Sequence, residues 1–340
     1  IFTNKIRIDF GRESVDERLL ITESMNPVSG SDAIVVSIIC CTYNHENYIR
    51  VCLEGFVSQR TGFGFEVLIH DDASTDGTAG IIREYESRYP EIIRPVYQQT
   101  NQYSKGVDIF FDVVLPLAKG KYIAICEGDD YWTDPLKLRK QVDFLESHPD
   151  CGMVFGKVRK YIQSKKQFGT LFGSPVESVE RLLQTNTIPT PTVLCRKDFI
   201  LKYKTEIGQQ QWLLGDYPLW IFIALHSEIA FMDEVLSVYR VLEESACHSK
   251  DYFKMKSFIR SMYDMKKFFI DKYALGNLES IEEDMNNALM SYAILLNAKD
   301  EAVQIYHERR SFSFRSFLKY VLCKMSLASL YKFYLRRISD

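Results

Sequence analysis

The chain has 340 residues, enough for one large domain or two small ones. Its 46% hydrophobic and 26% charged residues exclude a disordered, collagen-like or coiled-coil chain. The net charge of −3 argues against general nucleic-acid binding.

No run reaches the roughly 18 apolar residues of a membrane span. The most apolar window, Trp212–Leu225, carries Asp216 within it. The first thirty residues lack a cationic start followed by an apolar run, so no signal peptide is expected. None of the eight Cys forms a C-x-x-C pair, which argues against a zinc ribbon. Cys40, Cys126 and Cys195 lie in apolar runs and read as small buried hydrophobes in a reducing compartment.

Residues 1–33 read as a linker-like lead-in ending in Pro27, Ser29, Gly30 and Ser31. The β-branched run 34–41 predicts a fully buried strand. Ile49, Leu53, Phe56 and Val57 then share one face of a helix over 46–59. A second strand, 65–69, stops at His70-Asp71-Asp72, and a helix follows over 78–89. A third strand is expected at 91–98 and a helix at 107–118, with Gly120 as its C′ glycine. The fourth strand, 122–126, stops at Glu127-Gly128-Asp129-Asp130. Asp134-Pro135 reads as the N-cap and first residue of a helix over 135–147. Later strands are expected at 153–156, 192–196 and 229–232, and a helix at 216–226. From about 251 the pattern is helical: 251–273, 279–298 and 312–337. Strand–helix alternation predicts an α/β fold around a mostly parallel sheet, with ligands beyond the carboxyl ends of its strands.

Three polar clusters fall at those ends. Thr42-Tyr43-Asn44 follows the first strand; it reads as an ordinary turn, or as a Tyr stacking on a base. Asp71-Asp72 ends the second strand, and two adjacent acids there cost stability unless something neutralises or uses them. Ser74 to Thr78 reads as a capped loop. Glu127-Gly128-Asp129-Asp130 puts three acids in four residues, a donor set suited to a hard divalent cation or a sugar. Asp216, among apolar residues, is either a helix N-cap or a general base. Arg240 and His248 are either surface polarity or contacts to a phosphate or metal.

The segments VSIICCTYNHENYI (36–49), EVLIHDDASTDGT (66–78), GKYIAICEGDDYWTDPLKLRKQVDFLE (120–146), GDYPLW (215–220) and YRVLEESACHS (239–249) occur in this order. Together they resemble the family-2 glycosyltransferases of the GT-A fold, of the non-processive bacterial glycan-assembly type. The resemblance covers residues 34–250 and implies inverting transfer of one sugar from a nucleotide-sugar donor to a saccharide or lipid-linked saccharide. It implies a nucleotide-sugar half, 34–132, an acceptor half, 133–250, and a helical C-terminal region, 251–340. Thr42, Tyr43, Asn44, Asp71 and Asp72 would then bind base and ribose. Glu127-Gly128-Asp129 stands where the family has D-x-D, which implies Mg²⁺ or Mn²⁺ on Asp129, support from Asp130 and an open role for Glu127. Asp216 would be the acceptor-side base, and Arg240 or His248 a further phosphate or metal contact. None of the three Trp follows Arg, so the Q-x-x-R-W motif of processive synthases is absent.

Two other functions compete. A nucleotidyltransferase needs a Gly-rich basic loop after the first strand, and residues 42–48 lack it. A non-catalytic nucleotide-sugar or glycan-binding module would tolerate loss of Asp216, which is present. A dehydrogenase is disfavoured because no G-x-G-x-x-G follows the first strand. Acceptor choice would fall to residues such as Thr190, Thr192, Trp212 and Trp220. Residues 309–340 carry eight Lys or Arg against one acid, and so read as a basic amphipathic helix for an anionic membrane surface, or as a helix packed on the protein. The expected location is the cytoplasm, with peripheral contact to the inner face of the membrane.

Overall fold

The computed structural model describes residues 33–242, 249–276, 278–296, 298–308 and 314–325. The chain divides into two units: residues 1–209 with 219–241, and residues 210–218 with 242–340.

The first unit is built on a sheet in the order β3-β2-β1-β4-β8-β6-β9-β5, with β7 on β6. Its opening half alternates strand and helix as expected: β1 (Ile34–Thr42), α1 (Ile49–Val57), β2 (Gly64–Asp71), α2 (Thr78–Arg88), β3 (Ile93–Tyr97) and β4 (Tyr122–Ile125). β1 pairs in parallel with both β2 and β4, and β2 with β3. The run IVVSIICCT is buried on both faces, as β-branched residues in the middle of a parallel sheet require. One face, with Val36, Ile38, Cys40, Val67, Ile69 and Ala124, packs against Leu53 and Phe56 of α1 and Ile82 and Tyr85 of α2. Cys40, Cys126 and Cys195 are free and fully buried.

Beyond β4 the sheet becomes mixed. β5 (Tyr131–Trp132) and α3 (Lys137–Ser147) lead to the long β6 (Cys151–Ile162) and to β7 (Gln167–Phe172). Then come α4 (Val179–Gln184), β8 (Leu194–Arg196), α5 (Lys197–Ile207), α6 (Tyr217–His226) and β9 (Glu228–Val241). β8 is antiparallel to β4 and β6, β7 is antiparallel to β6, and β9 runs parallel to β6. The four-residue strands expected at 153–156 and 229–232 are thus the starts of 12- and 14-residue strands. Their outer halves alternate with polar residues and lack the apolar run that marks a buried strand.

Three local expectations need correction. The helix expected over 107–118 is a wide π-helical turn, Ile109–Val114, followed by a 3-10 turn, Leu115–Leu117. Pro116 has no N–H for the carbonyl four residues back, so a regular helix cannot pass through it. Gly120 is not a left-handed helix cap. A Cβ there would lie 2.4 Å from Ser37 N and 2.7 Å from Val36 C, so glycine allows the chain to pass against β1. The helix expected from Pro135 starts at Lys137, because Asp134 Oδ1 accepts the Leu136 N–H in a tight turn first.

The second unit contains α7 (Tyr252–Tyr273), α8 (Leu278–Leu295), α9 (Lys299–Glu308) and α10 (Phe314–Lys324). Asp251 caps α7 by accepting the N–H groups of Phe253 and Lys254. Tyr252, Ile259, Leu289, Met290, Ile294 and Ile305 form its core. Lys319 of α10 donates to Asn287 O and Ser291 Oγ of α8. Residues 309–313 and 326–340 of the expected basic amphipathic segment lie outside the described residues. Among the described residues no helix is long and apolar enough to cross a membrane.

Gly120→Ala is expected to destabilise the chain by about 3 kcal/mol, because backbone atoms cannot yield to the added methyl. Urea denaturation of the variant beside wild type checks this.

Candidate active site

The parallel strands bring the three polar clusters together at one end of the sheet. Thr42 pairs with Asp71 in the β1–β2 register. The Asp72 N–H donates to Thr42 O, and the Gly128 N–H to Cys41 O. A Cβ on Gly128 would lie 2.7 Å from Thr42 Oγ1 and 2.9 Å from His45 Nδ1. The Glu127–Asp130 turn therefore lies directly against the residues that follow β1.

Two loops frame this pocket and are tied to each other. Asn44 donates its N–H to Ser74 Oγ, and its Oδ1 accepts the Thr75 N–H. Glu46 donates its N–H to Asp76 Oδ2, and its Oε2 accepts the Gly77 N–H at 2.7 Å. Asn44 and Ala73 hold positive φ angles of 55° and 61°. Such backbone in an alanine costs energy, and the cross-loop bonds hold it in place. Glu46 and Asp76 carry no sequence signal for this role, since their partnership exists only across the two loops.

The acids divide by what they face. Asp72 is buried, and both its oxygens are engaged, by the N–H groups of Gln102 and Tyr103. Asp130 is buried, and its Oδ1 accepts the Arg240 N–H at 2.7 Å. Burial, and then the neighbouring Asp129, raise the Asp130 carboxyl well above the ordinary carboxylate range. By contrast, Asp71 Oδ1 and Asp129 Oδ1 are sealed from solvent and have no hydrogen-bond partner. Thr42 Oγ1 and His45 Nδ1 share that condition. Buried polar atoms left unpaired are costly, and this pocket gathers four of them. Burial lowers the pKa of His45, against the opposing charges of Asp129 and Asp76. The place of His45 against the Gly128 turn is a tertiary contact.

The remaining expected residues are placed as follows. Tyr43 is 44% exposed at the rim, and Glu127 is exposed. Arg240 donates Nε to Asp129 O and Nη1 to Gln163 Oε1, both at 2.8 Å, so its guanidinium grips the acidic turn from behind. Asp216 belongs to the second unit, where its carboxylate accepts the Tyr217 N–H at the start of α6. His248 lies outside the described residues. Thr192 and Trp220 are fully buried, so neither side chain is open to an acceptor. Trp212 packs on Phe268 and Phe269 within the second unit.

Beneath the turn, Trp132 donates Nε1 to Pro191 O and meets Phe56 edge-on. Lys137, fully buried, lies 4.1 Å from the Trp132 ring and donates to Gln141 Oε1. Gln141 in turn donates to Thr192 O. Burial pulls the Lys137 ammonium down to about 7.

A sequence family and several known proteins are similar to this chain. Residues 37–199 match the family described as Glycosyl transferase family 2. An Escherichia coli protein, the UDP-Glc:alpha-D-GlcNAc-diphosphoundecaprenol beta-1,3-glucosyltransferase WfaP, is 30% identical over 56% of this chain and 70% of its own length. The chain belongs to glycosyltransferase family 2. An uncharacterized protein of Mycobacterium tuberculosis is 42% identical to this family-2 chain over 63% of it. The match spans 61% of the mycobacterial protein's length. Among solved structures, S. aureus TarS 1-349 in complex with UDP-GlcNAc superposes with a TM-score of 0.52 at 19% identity, covering 88% of this chain and 92% of TarS. The mannosyltransferase PcManGT from Pyrobaculum calidifontis, in complex with GDP-Man and Mn²⁺, gives 0.51 at 15% identity, covering 91% and 90%. These likenesses show that the family-2 chain has the GT-A fold.

Lys137 generates a pH prediction. Its folded pKa lies below its unfolded value near 10.5, so the unfolded chain binds more protons between about pH 7 and 10.5. Wild-type stability therefore gains from this group as pH rises through that window. Lys137→Met is expected to lose that gain, so that its stability relative to wild type falls by a few kcal/mol from pH 7 to 10. Urea midpoints across that range measure it.

Proposed function

We propose that this chain transfers a single sugar from a nucleotide-sugar donor to a saccharide or lipid-linked saccharide, inverting the anomeric centre. The observation that carries the reading is the set of buried, unpartnered oxygens of Thr42, Asp71 and Asp129 around the Gly128 turn. Family membership supports sugar transfer. The name of the E. coli relative, which specifies a diphosphoundecaprenol-linked sugar, supports a lipid-linked acceptor.

Asp71 accepts from the N–H of the base, and Tyr43, at the rim, lies along it. Asp72 and Asn44 act through the loops they hold, and Glu127 lies on the donor side. Among the described residues no three His, Cys, Asp or Glu side chains converge as a closed metal site. A divalent cation needs only one or two carboxylates when substrate phosphates supply the other ligands, and Asp129 Oδ1 is a free carboxylate oxygen for it. Asp129 would hold Mg²⁺ or Mn²⁺, which offsets charge on the leaving diphosphate when bound. Arg240 fixes the turn that carries Asp129, and Asp130 anchors Arg240. Asp216 takes the proton of the acceptor hydroxyl as it attacks from the face opposite the departing diphosphate. The bond from the anomeric carbon to the new oxygen forms as the bond to the diphosphate oxygen breaks.

Thermal shift with a panel of nucleotide sugars, with and without Mn²⁺, tests the donor site. At ~100-fold excess over Kd, one donor with Mn²⁺ is expected to raise the Tm by about 5 °C or more. Asp129→Ala is expected to abolish that rise. Asp216→Asn is expected to keep it while transfer falls at least ~100-fold. Near-normal transfer by Asp216→Asn would remove it as the base, and no shift with any donor would overturn the donor site.

A further inference from the structure

The hairpin made by the outer ends of β6 and β7 carries chemistry that the sheet and the donor pocket do not use. Residues 159–172 read RKYIQSKKQFGTLF, with four cations and no acid, in a chain of net charge −3. Among the described residues none of Arg159, Lys160, Lys165 and Lys166 is in an ion pair. Arg159 pairs with Leu171 and Tyr161 with Phe168, so two steps along β6 match three along β7. Residues three apart in a regular strand point to opposite faces. The bulge places Phe168 and Leu171 on the same face, with Arg159 and Tyr161.

Phe168 is 54% and Leu171 47% exposed. The Tyr161 ring meets Phe168 at 5.2 Å, and Arg159 lies 6.0 Å from the Phe168 centroid. Lys165 and Lys166 are exposed at the tip, where a 3-10 turn ends in Lys166 with φ 49°. Glycine or asparagine is the relaxed choice at that left-handed position, and lysine costs about 1 kcal/mol there.

Edge protection explains part of this. β7 pairs with β6 alone, and exposed edges are commonly guarded by lysines and bulges. A guarded edge gives no reason for a half-exposed Phe and Leu, or for a lysine in a strained turn. A polyanionic saccharide would use the cations and gain little from Leu171. An anionic bilayer uses both, with apolar side chains at the acyl boundary and cations over the headgroups.

We propose that the β6–β7 hairpin docks on an anionic lipid surface, inserting Phe168 and Leu171 and setting Arg159, Lys165 and Lys166 against the phosphates. Arg240 of β9 pairs with Tyr161 of β6 and lies 5.5 Å from its ring, so the hairpin touches the residue that holds the acidic turn. The proposal does not depend on the sugar-transfer reading.

The test is co-sedimentation of the full chain with phosphatidylcholine vesicles, alone or with about 30 mol% phosphatidylglycerol, at low salt. Wild type is expected to bind only the anionic vesicles. The double variants Lys165→Glu/Lys166→Glu and Phe168→Ser/Leu171→Ser are each expected to lower the partition at least ~10-fold, with unchanged melting and donor-induced thermal shift. Lys166→Gly relaxes the turn and is expected to lower binding several-fold with no loss of stability. Three outcomes overturn the proposal: no binding to either vesicle, hairpin variants that bind as wild type does, or variants that lose affinity for soluble dextran sulfate while keeping vesicle binding.

Discussion

A buried carboxyl group, that of Asp130, ties the turn after β4 to the end of β9. It sits in the turn after β4 and accepts the main-chain N–H of Arg240, 110 positions later, near the end of β9. A carboxylate that deep is costly unless a donor meets it. The bond therefore makes closure of the turn and registration of β9 a single event. Arg240 returns the contact by donating Nε to Asp129 O. The turn that carries Asp129 is consequently held by contacts that leave its buried Oδ1 unpaired.

The same economy runs through the rest of the pocket. Asp72 is consumed by two backbone N–H groups, and Asn44, Glu46, Ser74 and Asp76 are consumed by one another. These bonds fix the loops that a strained Ala73 and Asn44 would otherwise relax. Asp71, Thr42 and Asp129 each keep a buried oxygen without a partner. The acids thus divide into those bonded to the loops and those that keep a buried, unpaired oxygen. Lys137 and Trp132 extend the support one layer deeper, through Gln141 and the 189–193 segment.

Much of this was legible in the chain itself. Short, largely apolar runs marked β1, β2 and β4, and the polar clusters at their ends marked the pocket, because parallel strands must finish at the same edge. The reading failed where local signals were ambiguous. β7 and the outer halves of β6 and β9 alternate with charged residues, so their pairing, and the bulge that aligns Phe168 with Leu171, left no mark in composition. Pro116 was present, yet the helical periodicity of 107–118 outweighed it. Thr192 and Trp220 were expected to contribute to acceptor choice, but both are core residues.

Sequence alone determined the alternation of strands and helices in the first half, the acid-bearing strand ends and the family, since these rest on periodicity and motif order that any folded copy must share. Tertiary structure decided which acids are spent on the scaffold and which keep an unpaired oxygen. That division depends on donors supplied from distant positions, such as the Arg240 N–H for Asp130 and the Gln102 and Tyr103 N–H groups for Asp72. A carboxylate has the same composition in either role; only the direction of its neighbours' N–H bonds separates them.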